Sequence, residues 1–146
     1  MTDWKPAPGP LFTRWAADVD PQCPLPEYPR PQLTRSNWQN LNGIWQYAIL
    51  PRKLEKAALT RFDGHILVPF AIESALSGVG KALLPEQRLW YRRTFEIPRE
   101  WSEKIIRLHF GAVDWQTYVW CNGVFVGKHQ GGYDPFFFDL QDCLNR

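Results

Sequence analysis

At 146 residues the chain suits one domain with a true core, and its 45% hydrophobic content with eight Trp excludes a disordered polymer. Net charge is only +2 and the basic residues are scattered, so nucleic-acid binding has no electrostatic footprint. No apolar run approaches the roughly 20 residues of a membrane helix, and Cys23, Cys121 and Cys143 are spaced for neither a disulfide framework nor a zinc site.

Residues 1–31 form a Pro-rich arm (Pro6, Pro8, Pro10, Pro21, Pro24, Pro26, Pro29, Pro31) that cannot pair in a sheet. Leu11, Phe12 and Trp15 give it an apolar patch, expected to be buried against this domain or a neighbour. The N-terminus lacks the charged-then-apolar pattern of a secretory signal, and a cytoplasmic location is the expectation. Arg35 to Asn42 carries Trp38 and Leu41 at helical spacing. Leu41 to Ile49 then alternates as a strand, with Trp45, Tyr47 and Ile49 on the core side.

Leu54 to Leu59 reads as a short helix or a loop, and Ile66 to Phe70 as a buried strand stopped by Pro69. Ile72 to Gln87 is a long loop. Leu89 to Ile97 is a strand with Arg93 on a face of aromatics, where a carboxylate or a ring is its expected partner. Lys104 to Phe110 supplies the next strand.

The centre of the pattern is Val113 to Gly127: two runs rich in aromatic and β-branched residues joined by Asn122-Gly123. Asn-Gly suits a type I′ turn, because both central positions need positive φ. Tyr118 and Trp120 fall on one face, with Thr117, Val119 and Cys121 on the other. Gly131-Gly132 turns the chain into an extended, buried Phe136-Phe137-Phe138, and Asp139 with Asp142 suggests a capped helical turn through Leu144. At least seven short strands and hardly any helix make this an all-β sandwich.

The run Trp120-Cys121-Asn122-Gly123 through His129-Gln130-Gly131-Gly132-Tyr133-Asp134-Pro135-Phe136-Phe137-Phe138-Asp139-Leu140 resembles the N-terminal sugar-binding domain of glycoside hydrolase family 2. Pro29 to Trp45 and Ile66 to Phe95 resemble the same domain, in the same order. The resemblance implies a jelly-roll β-sandwich of the galactose-binding type over 32–146, lacking its last strands. It also implies a parent hydrolase for β-galactoside- or β-glucuronide-type carbohydrates. Immunoglobulin-like and barrel domains would follow as partners, and a homo-oligomeric parent is compatible with it.

Glycoside hydrolysis needs two carboxylic acids flanking the scissile bond. In the resembled family both lie in the later barrel, which alone takes about 250 residues. No catalytic residue is therefore expected here, and no cofactor or metal. The family's β-galactosidases also contact sugar through an Asn after the Val-Pro of the second block, where this sequence has Ala71, and through an Asp that would fall beyond Arg146. Carbohydrate contact is expected instead from His129, Tyr133 and Asp134 around the Gly-Gly turn and from Trp115, although core filling is the commoner role of a strand Trp. The competing reading is a stand-alone carbohydrate-binding module without hydrolase activity.

Overall fold

A computed structural model describes residues 4–9, 11–27, 35–53 and 61–145. Its strands are β1 (Gly43–Pro51), β2 (Gly64–Val68), β3 (Gln87–Arg92), β4 (Arg107–Phe110), β5 (Gln116–Cys121), β6 (Val124–Gln130) and β7 (Phe136–Asp139). All pairing among them is antiparallel, and the helical pieces among the described residues are short 3-10 turns. The chain divides into two compact units, Met1–Phe95 and Glu96–Arg146.

In the first unit β1 is central, in the order β2-β1-β3. Alternation assigns its two faces. Tyr47 and Ile66 are buried on the core side with Ile72, and Trp45, Ile49, Val79, Leu83 and Leu89 pack against them. The opposite face is polar at one point: Gln46 stands in register between His65 of β2 and Arg92 of β3. The loop after β2 closes the core by internal hydrogen bonds. Buried Ser77 donates its hydroxyl to the Ile72 and Ser74 carbonyls, at 3.1 and 2.7 Å, and accepts from the Val79 amide at 3.0 Å.

Several expectations need correction. Arg35 to Asn42 is not helical, because the Asn40 side chain accepts the Asn42 amide at 2.8 Å and so competes with a helical backbone. The strand from Leu89 ends at Arg92, short of Ile97. Arg93 meets neither a carboxylate nor a ring among the described residues; its Nη1 donates to the Leu41 and Asn42 carbonyls at 2.9 and 3.0 Å. In the arm, Leu11 is 88% and Trp15 60% exposed. Docking is made instead by Ala7, whose amide donates to Ala75 O at 2.8 Å, and by Trp4, whose indole donates to Ser77 O at 3.2 Å. Leu54 to Leu59 lies outside the described residues.

In the second unit β5 and β6 form the expected hairpin, with Asn122 at φ 47° and Gly123 at φ 88° in its turn. Tyr118 stacks on Trp120 at 6.2 Å between ring centroids, and Phe125 of β6 lies 5.5 Å from Trp120. The β4–β7 ribbon meets this hairpin through β7. The ring of His129 stacks on Phe136 at 4.0 Å, and Gly127 lies against the ring of Phe138, where no side chain would fit. Phe137 points out between its two neighbours and is half exposed, so the run is alternating rather than wholly buried. Asp139 caps no helix: it ends β7 and pairs with Arg107 at 2.8 Å, and the 3-10 turn Gln141–Cys143 starts from Leu140.

Candidate functional site

The four residues expected to contact carbohydrate lie at the end of β6, in the turn from β6 to β7 and just before β5. Gly131 donates its amide to Trp115 O at 2.8 Å, which ties this turn to the start of β5. A Cβ on Gly131 would stand 3.2 Å from Asp134 Oδ2 and 3.3 Å from His129 Nε2, so the carboxylate and the imidazole flank one point. His129 Nε2 is buried and has no hydrogen-bond partner among the described residues. Tyr133 is 95% exposed and Trp115 58% exposed. Trp115 is therefore not a core residue, although that is the ordinary fate of a Trp beside a strand.

The exposed rings of Trp115 and Tyr133 can stack on a sugar ring and the exposed Asp134 carboxylate can accept from its hydroxyls, whereas His129 Nε2 is buried away from such a ligand. Sequence reasoning placed His129, Tyr133 and Asp134 around the Gly-Gly turn and Trp115 on a strand, without bringing Trp115 to the others. The Gly131–Trp115 backbone bond does that. Asp114 was overlooked as a neighbour: its Oδ1 lies 2.8 Å from where a Gly132 Cβ would be. Among the described residues no three His, Cys, Asp or Glu side chains converge as a metal site would.

Sequence reasoning also missed a cavity in the first unit. It has a volume of about 370 Å³ and is lined by Gln46, His65, Arg92, Arg93 and Thr94, among others. The only hint in the sequence was Arg92-Arg93 beside alternating strand residues.

Comparison with known proteins identifies the class. Residues 68–146 match the family described as glycosyl hydrolases family 2, sugar binding domain, and the chain belongs to that family. A β-galactosidase of Thermoanaerobacter pseudethanolicus is 42% identical over 109 residues, which are 72% of this chain and 14% of that protein. A β-glucuronidase of Canis lupus familiaris is 38% identical over 132 residues, 80% of this chain and 20% of that protein. Among solved structures, the β-glucuronidase of Ruminococcus gnavus in complex with uronic deoxynojirimycin superposes with a TM-score of 0.61 at 25% identity, covering 77% of this chain and 20% of that one. The chain thus spans a fifth or less of these relatives, and the likeness agrees with the expected all-β sandwich.

Proposed function

We propose that the chain is the non-catalytic N-terminal domain of a glycoside hydrolase acting on β-galactoside- or β-glucuronide-type substrates, where it packs on later immunoglobulin-like and barrel domains and helps to shape the sugar site. The observation that carries this reading is the family match over residues 68–146 combined with coverage of only 14–20% of the relatives named β-galactosidase and β-glucuronidase. In this reading residues 1–31 are an arm on the sandwich, and Trp115, Tyr133 and Asp134 form the polar-aromatic rim nearest to carbohydrate.

Assay of the purified chain with nitrophenyl β-galactoside and β-glucuronide is the test. No turnover is expected, and turnover abolished by mutating a local Asp or Glu would overturn the reading. A stand-alone carbohydrate-binding module is the second reading, favoured by the exposure of Tyr133 and Trp115. Calorimetric titration of the chain with galactose, glucuronate and their oligomers separates the two. Tight binding lost in Tyr133→Ala would favour the module.

A further inference from the structure

The polar face of the β2-β1-β3 sheet carries a second arrangement with a chemistry of its own. Gln46, in the central strand, accepts from Arg92 Nε at 2.8 Å, and the Arg92 guanidinium lies 4.2 Å over the ring of Phe62. The guanidinium is thereby held from two sides, by Gln46 and by the Phe62 ring. Arg93, next in the chain, is fixed by the Leu41 and Asn42 carbonyls. His65 stands across Gln46 on β2. Gln46, His65, Arg92 and Arg93 line the cavity of about 370 Å³ together with Ile44, Thr94, Pro21 and Gln22, and no carboxylate is among its described lining residues.

Two guanidinium groups lining one cavity concentrate positive charge there, and partial burial already disfavours the charge of Arg93. An anion in the cavity would offset both effects. The planar fork of Arg matches the two oxygens of a carboxylate or phosphate group, and a fork already held in place loses little freedom on binding. The cavity lies at the lower end of the size range of small-molecule sites, about 300–1,000 Å³. The Pro21 and Gln22 carbonyls lie 3.5 and 3.7 Å from the Cβ position of Gly43, beside Arg93. As acceptors they repel an anion from that corner and direct it towards Arg92 and His65.

We infer that this cavity is a binding site for a small oxyanion, a carboxylate or a phosphate, held by Arg92 and Arg93 with His65 and Thr94 as further hydrogen-bonding groups. The test follows the Nε–H signals of Arg92 and Arg93 by NMR in the full chain. Sodium phosphate and sodium acetate are titrated separately against sodium chloride of equal ionic strength. Saturable shifts are expected with at least one of the two, and which one saturates identifies the class of oxyanion. Arg92→Gln should weaken that binding about tenfold or more, as loss of a charge-assisted pair implies. Arg92→Lys, which keeps the charge without the fork, should weaken it less. Arg107→Gln, in the other unit, should leave it unchanged. Shifts that never saturate, or that chloride reproduces, would overturn the inference, as would equal affinity in Arg92→Gln and the unaltered protein.

Discussion

Single residues separate what holds this domain together from what it offers to a ligand. At Gly127 an added methyl group would enter the ring of Phe138, so Gly127→Ala should destabilise by about 1–3 kcal/mol, the usual range for overpacking. A melting temperature unchanged from the parent chain would show that the ring moves aside freely. Tyr133→Ala and Trp115→Ala should instead stay within about 0.5 kcal/mol of the parent, because both rings face solvent. A large loss in either would mean that the exposed ring has a structural role.

Alkaline pH probes the buried groups. The Cys143 thiol is pushed up to about 11 from 9.0, first by burial and then by a hydrogen bond with Cys121 and the charges of Cys121 and Asp142. Burial and then the Glu73 carboxylate push the Tyr91 phenol up to about 12 from 10.0, although Tyr91 is 40% exposed and solvent screens its share. Both folded values lie above the unfolded ones, so their contribution is complete below pH 9 and is lost as pH rises through 9–11 and then 10–12. Thermal melts should show a falling midpoint across that window, with the first part absent in Cys143→Ala.

At the level of elements, the strands were legible and the segments between them were not. Period-two alternation in the expected strand Leu41 to Ile49 and the Asn122-Gly123 pair each encode their conformation within a few residues, and both formed, the strand shifted to Gly43–Pro51. Helical spacing of Trp38 and Leu41 was outweighed by the bond from Asn42 to Asn40, a local competition that periodicity cannot weigh. Arg93 defeated the reading differently, because its partners are carbonyls some 50 residues earlier, and carbonyls carry no sequence signature. The candidate site was half legible: its loop residues were chosen for turn chemistry, but the bond that draws Trp115 in runs through the backbone.

The arm shows the same limit. Its large apolar residues at 11–15 point outward, and Trp4 and Ala7 make the docking. Trp4→Ala should therefore speed proteolytic cleavage within the first ten residues while costing about 1 kcal/mol, the worth of one hydrogen bond. If cleavage there is no faster than in the parent chain, the Trp4–Ser77 contact is not what holds the arm.

On the scale of the molecule, the two units differ in how their backbones are secured. Among the described strands β1 alone is flanked on both sides, by β2 over Gly43–Tyr47 and by β3 over Gln46–Pro51. Tyr47 and Ala48, in the middle of that strand, are buried. The second unit consists of two separate ribbons, β4–β7 and β5–β6, and β4 and β7 have only four residues each. Two-stranded ribbons are marginal unless packed on something else, and here β7 contributes Phe136 and Phe138 to that packing while Phe137 faces out. Among the strands, local opening should therefore cost least in the β4–β7 ribbon and most in β1. Native-state hydrogen exchange should find the slowest amides at Tyr47 and Ala48 and faster exchange along His109 and Phe137. The turn bearing Tyr133 should exchange fastest of the three, since binding loops tend to open at small energetic cost. Equal protection of β1 and β4–β7 would mean that the chain opens only as a whole, and that the turn with Trp115 and Tyr133 is held as firmly as the central strand.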